Sequence, residues 1–322
     1  MDDPRASILI RLQALAGADA ASLPARLAEV TAPDAVWHVA HPVNDLVGRA
    51  AVLEHWLQPL RASLPGALRR DEIVIGGRSR TGSGQWMATL GHLVGNFTAD
   101  LFGVPANAKL VFLRCGEFYR LEECRVVEAF ILPDLLDLAR QVGRLPVPAV
   151  LGTEMLFPGP ATHDGVLPAA PQRSEASVAL VEAMLRDLRT FDPATFASAG
   201  QTGLDGYWHK DMLWYGPAGI GANFTYAGFQ RDHRVPFLTA FPDRVGGNHF
   251  SRFGDGDYVA SGGWPSMTMT HKGSYLGVPA TGRALTLRVM DFWRVANGSI
   301  RENWVLLDLP DLLAQMGRDV LP

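Results

Sequence analysis

Cysteine is nearly absent from this chain of 322 residues: Cys115 and Cys124 are the only two, nine positions apart and outside any CxxC spacing. With no histidine at zinc-site distance, neither a disulfide framework nor a structural metal is indicated. Nor does charge of one sign dominate. Twenty-nine basic against 33 acidic side chains leave a net charge of −4, whereas a nucleic-acid-binding face needs clustered basic residues. Long apolar runs are missing too, and stretches such as Val147–Leu151 and Trp304–Leu307 fall far short of a membrane span. The opening Met1-Asp2-Asp3-Pro4-Arg5 lacks the basic-then-apolar pattern of a signal peptide, so the expectation is a cytoplasmic protein without a membrane partner. Among motifs, there is no GxSxG elbow and no HExxH helix. Gly216–Gly221 lacks both the preceding strand and the Lys-Ser/Thr of a phosphate loop. Nucleophilic and metal-dependent hydrolysis thus lose their usual carriers.

What is present is a duplication. Residues 101–143 align with residues 275–317 without a gap at an offset of 174, with 16 identities in 43 positions by direct count. Upstream the offset is 177: Trp37 falls on Trp214, Pro59 on Pro236 and Pro65 on Pro242. Two domains are expected, 1–143 and 174–322. They are joined by 144–173, whose prolines at 146, 148, 158, 160, 168 and 171 forbid a helix or a central strand. Val150, Leu151, Leu156 and Phe157 suggest a tether packed on the surface.

In the second copy, Val178, Val181, Leu185 and Leu188 have helical spacing. Residues 211–223 read as turn-rich and 229–241 as a short helix. Three strands follow at 257–271, 283–295 and 300–307, then a helix from Asp308. The first copy repeats this order, with helices near 8–15 and 49–64, strands at 85–99, 109–120 and 125–132, and a helix at 134–142. Helices followed by a curved antiparallel sheet make an α+β pattern.

Asn297-Gly298 between two apolar strands is a hairpin signal. A regular ladder from that turn puts Asp291 opposite Trp304 and Trp293 opposite Glu302, all on one face. An acid among aromatic walls is desolvated, and its pKa rises toward a range useful for proton transfer. The first copy offers Glu117, Tyr119, Glu128 and Phe130 at the same places. His271 stands where the first copy has Phe97, so the scaffold does not require a histidine there, and it is a second candidate proton carrier.

The segments Leu276–Arg283, Arg288–Arg294, Ile300–Trp304 and Asp308–Gly317, with Trp214–Gly221 and Pro236–Asp243 upstream, resemble the SnoaL-like polyketide cyclases of the nuclear-transport-factor-2-like superfamily. The resemblance covers the first copy more loosely, through Gly103–Ala106 and Glu128. It implies two tandem cones, each a strongly bent antiparallel sheet wrapped around helices with a pocket inside. It also implies cofactor-independent aldol chemistry, in which an aspartate, here Asp291, acts as acid–base on a small hydrophobic carbonyl or ester compound. His271 and Glu302 are expected to assist, and Trp214, Tyr215, Trp264, Trp293 and Trp304 to wall the pocket. Glu117 and Phe97 in place of Asp291 and His271 make the first copy the less active half. Such cones commonly pair through their sheets, so the chain is expected to form an internal pseudo-dimer, as a monomer or a weak homodimer. The rival reading is a non-catalytic small-molecule-binding or assembly protein that uses the same cone.

Overall fold

Two sheets, each with its own helices, embody the duplication in the computed structural model, which describes residues 3–148, 150–192, 194–196 and 206–321. The first half runs α1 (Pro4–Ala16), α2 (Leu23–Val30), β1 (Thr31–Val39), β2 (Asp45–Val47), α3 (Gly48–Val52), a π-helical turn (Leu53–Leu57), α4 (Gln58–Ser63), β3 (Leu68–Arg78), β4 (Gln85–Asn96), β5 (Leu110–Glu122), β6 (Arg125–Pro133) and α5 (Leu135–Gln141). The second half runs α6 (Ser174–Arg189), β7 (Trp208–Tyr215), β8 (Ala222–Phe224), α7 (Thr225–Phe229), a second π-helical turn (Gln230–Arg234), α8 (Val235–Ala240), β9 (Val245–Gly246), β10 (Ser251–Asp255), β11 (Tyr258–Thr270), β12 (Ala284–Ala296), β13 (Ser299–Leu307) and α9 (Leu309–Gln315). No helix among the described residues is long and apolar enough to cross a membrane.

Local chemistry accounts for the helix ends. Asp3 caps α1 by accepting from the Arg5 amide, Pro4 opens the helix, and Ile8, Leu12 and Leu15 bury one stripe. The strand order is β2-β1-β6-β5-β4-β3 in one sheet and β10-β11-β12-β13-β7-β8 in the other, with β9 beside β11. β1 runs parallel to β6 and β7 parallel to β13, so both sheets are mixed where antiparallel ones were expected. A parallel partner brought in from far upstream leaves no hairpin signature. Strand β7 accordingly claims part of the segment read as turn-rich.

One face of each sheet covers its own helices. The opposite faces meet each other in a shared apolar layer of Phe118, Phe130, Phe253, Met290, Phe292 and Trp304. Repeat-equivalent residues touch there: the Phe118 and Phe292 rings lie 5.7 Å apart, as in a two-fold interface where each patch meets its own copy. The helix caps cross the same junction. Asp134 accepts from Asp137 N within its own cap and from Ala218 N of the other half at 3.0 Å. Its equivalent Asp308 accepts from Asp311 N and from His41 N, also at 3.0 Å. The proline-rich segment is an ordered strap held to both sheets. Thr153 exchanges backbone hydrogen bonds with Ala222, and Val74 bonds to Gly165 and Leu167.

The hairpin forms where the sequence put it, with Asn297 and Gly298 at φ 51° and 73° and Ala296 opposite Ser299. Just beyond, Val295 pairs with Ile300 but Arg294 with Glu302, so Arg301 is an extra residue. This bulge shifts the register by one and turns every later side chain over. Asp291 lies opposite Val305, and Trp293 opposite Asn303. Glu302 and Trp304 therefore face the other half of the chain, not the face of Asp291. The first half has the same bulge at Val127, which separates Glu117 and Tyr119 from Glu128 and Phe130.

Candidate active site

Within the second cone, between the sheet and its helices, lies a cavity of about 160 Å³, a volume that suits a ligand about one aromatic ring in size. β12 contributes Val289, Asp291 and Trp293 to its wall, β13 contributes Asn303, Val305 and Leu307, and β7 contributes Trp208 and Trp214. Across from them stand Met184 and Leu188 of α6, Phe229 of α7, His233 of the π turn and Phe237 of α8. A π turn misaligns successive side chains relative to a regular helix and often sits at functional sites. Here it carries His233, whose ring stacks on Trp214 at 4.3 Å.

Among the described residues, no ion pair reaches Asp291. Burial pushes its carboxyl up to about 7, against the opposing pulls of the Asn303 amide and the Arg252 guanidinium. Arg252, Ser261 and Asp291 stand side by side on β10, β11 and β12. Ser261 Oγ accepts from Arg252 Nε at 3.2 Å and lies 2.9 Å from His249 Nδ1. The hydroxyl also lies 3.5 Å from the Ser251 carbonyl, an acceptor for its proton, so Oγ can meet Nδ1 as donor or as acceptor. Burial, Arg252 and Arg189 push His249 down to about 4, so its ring is neutral near pH 7 on the cavity wall. His233 is neutral as well, pushed down to about 3 by burial and by Arg244 and Arg234.

Of the residues singled out in the sequence, Asp291, Trp214 and Trp293 line the cavity. The others lie elsewhere. Tyr215 and Trp304 stack on each other, ring centres 5.4 Å apart, in the layer between the sheets, and Trp264 packs there against Phe130. Glu302 pairs with Arg294 and accepts from Ala161 N of the strap. His271 follows the last residue of β11, fully buried beside Phe241, with Nδ1 3.0 Å from Thr281 Oγ1. It occupies the core place that Phe97 fills in the first half and is not part of the cavity wall. Glu128 pairs with Arg120 at 2.8 Å, and Phe130 stacks on Phe250. His233, His249 and Asn303 did not stand out in the sequence; the first two became legible only once α8 and β9–β10 had positions.

The first cone has the same plan with different contents. Glu117 sits at the place of Asp291, with Tyr119 for Trp293 and Ala129 for Asn303. Arg69 bonds both Glu117 oxygens, at 3.0 and 2.5 Å, and Thr89 adds a bond of 2.6 Å. Burial alone would raise this carboxyl, but the Arg69 charge and those hydrogen bonds outweigh it and hold Glu117 below its usual value. The space beside it amounts to about 10 Å³, and Trp56 stands where the second half has His233. Among the described residues, no group of three or more His, Cys, Asp or Glu side chains is placed to hold a metal.

A bent sheet wrapped on helices, with a carboxylate on its inner wall, defines a cone-shaped α+β domain, here present twice. A family model described as SnoaL-like polyketide cyclase matches residues 194–316, and one described as SnoaL-like domain matches residues 12–129. The chain belongs to the SnoaL-like proteins as a tandem member with the nuclear-transport-factor-2-like fold. Among solved structures it is similar to IdmH from Streptomyces antibioticus, assigned as a polyketide cyclase, at 20% identity over 43% of this chain and 98% of that one, with TM-score 0.36. It is also similar to AclR from Streptomyces galilaeus, assigned as a hydroxylase, at 23% identity over 44% and 82% of the two chains, with TM-score 0.35. A third, from Jannaschia sp. CCS1 and assigned as a SnoaL-like polyketide cyclase, shares 17% identity over 46% and 99%, with TM-score 0.36. No curated protein matches the chain.

Proposed function

We propose that the second domain is a cofactor-independent acid–base enzyme of the polyketide-cyclase type, acting on a small carbonyl compound held in the cavity. The observation that carries this reading is Asp291: a carboxyl raised to about 7, free of any ion pair among the described residues, on the wall of an aromatic-lined cavity. As carboxylate it takes a proton from the carbon α to a carbonyl. The enolate oxygen accepts a hydrogen bond from neutral His249, which keeps its proton, and the enolate carbon attacks a second carbonyl of the same molecule, closing a ring. The protonated Asp291 then returns its proton to the new alkoxide, which restores the starting carboxylate. Trp214, Trp293 and Phe237 hold the reacting carbons together and exclude water.

Deuterium uptake at the α-carbon of compact β-diketones and β-keto esters, followed by NMR in heavy water, tests this reading. Exchange by the wild type that disappears in Asp291→Asn supports it. No exchange above buffer while a ligand still binds would favour the non-catalytic receptor.

A further inference from the structure

The cavity wall carries charge that the proposed chemistry does not use. Arg189, Arg234 and Arg244 line it together. Arg234 is 4% exposed; its Nε donates to the Phe196 carbonyl, while one of its terminal nitrogens is buried with no partner among the described residues. Arg244 donates to the Leu188 carbonyl at 3.1 Å. The charged groups that act most on it are Arg234 and Arg189, which with burial push it down to about 10. Of the acids nearby, Glu182 reaches Arg80 and Arg252, and Asp187 acts on Arg234.

The first domain shows that the scaffold does not need these cations. At the offset of 177, fixed on either side by Pro59/Pro236 and Pro65/Pro242, Arg234 replaces Leu57 and Arg244 replaces Ala67. Both Leu57 and Ala67 belong to the apolar core of the first cone. The second cone thus puts two guanidinium groups where its sister has hydrocarbon, without a matching pair of carboxylates among the described residues of the wall. A buried guanidinium requires a counter-charge, and its planar fork suits a carboxylate.

We propose that Arg234 and Arg244 form an anion subsite that binds a free carboxylate on the substrate, making the ligand a compact keto acid and not a neutral ester. This inference rests on reading the cavity as the substrate site, but not on the proton transfer assigned to Asp291. The carboxylate would dock at the two guanidinium groups while the reacting carbonyl lies toward Asp291.

The test compares binding of phenylacetate and methyl phenylacetate to the full-length protein, by calorimetry near pH 7.5 where the probe acid is ionised. The acid is expected to bind at least about tenfold more tightly than its ester. Arg244→Ala and Arg234→Leu, which install the first domain's own residues, should each move that ratio toward one. Unchanged near-ultraviolet dichroism verifies that each variant is folded, and two independent sites guard against one variant failing to fold. Asp291→Asn should retain the preference for the acid while losing deuterium exchange, so the subsite and the chemistry fail separately. Equal affinities, no binding of either probe at millimolar concentration, or a preference that survives both arginine substitutions would overturn the proposal. Tighter binding of inorganic phosphate than of phenylacetate would also overturn it, by making the site one for phosphoryl groups.

Discussion

Glu117 and Asp291 occupy one position in two copies of one fold, and their surroundings make them chemically unlike. Glu117 is locked between Arg69 and Thr89 beside almost no free space, and its charge is permanently compensated. Asp291 meets no ion-pairing partner among the described residues, faces a cavity and titrates near neutrality. Burial is common to both carboxyls. The difference is compensation, and it separates a carboxylate that holds a core together from one able to exchange protons.

Substitutions at the paired positions can break or sharpen that contrast. The largest effect is expected from Asp291→Asn, which should lower the rate of α-proton exchange by about 10²–10⁴-fold, whereas Glu117→Gln should leave it within a few-fold. Parallel NMR exchange rates for the two variants check this. Next, Arg69→Leu should cost about 3–5 kcal/mol of stability in denaturant unfolding near pH 7, because Glu117 is then buried without its cation. The loss should shrink on acidification, as Glu117 and Asp71, which also pairs with Arg69 at 2.8 Å, protonate, and be smaller in the Arg69→Leu, Glu117→Gln double variant.

The sign reverses at the other copy. A carboxyl whose folded pKa lies above its unfolded value loses stability as pH rises between the two. The wild type should therefore weaken relative to Asp291→Asn from about pH 4 to pH 7, by up to about 4 kcal/mol. Melts across that range would show it, and a flat difference would contradict the burial argument. The smallest effect concerns the hairpins. Glu123 and Cys124 hold the positive φ angles that Asn297 and Gly298 hold in the second half. Importing Asn-Gly into the first hairpin should stabilise it by about 1 kcal/mol, readable as a small rise in the denaturant midpoint.

The duplication, the last three strands and closing helix of each half, and the last hairpin were legible because they rest on local signals: repeated residues, Asn-Gly, and an aspartate cap. What stayed hidden depends on events elsewhere in the chain. Arg301 carries no sign that it is an extra residue, yet it alone sends Glu302 and Trp304 to the opposite face from Asp291. His271 reads as functional in the sequence because its counterpart is phenylalanine, but a neutral imidazole can fill an aromatic core place. The same comparison, carried to Leu57/Arg234 and Ala67/Arg244, would have been more telling, since no core welcomes a guanidinium.

The crossed caps have a consequence for descent. Asp134 closes the last helix of one half on the backbone of the other, and Asp308 returns the contact. Two identical subunits meeting this way would inherit every change twice, so a filled pocket in one would be a filled pocket in both. Once the strap joins them in a single gene, each half mutates alone. One can harden into a scaffold while its sister keeps the opening, and the reciprocal caps hold the now unequal pair in register.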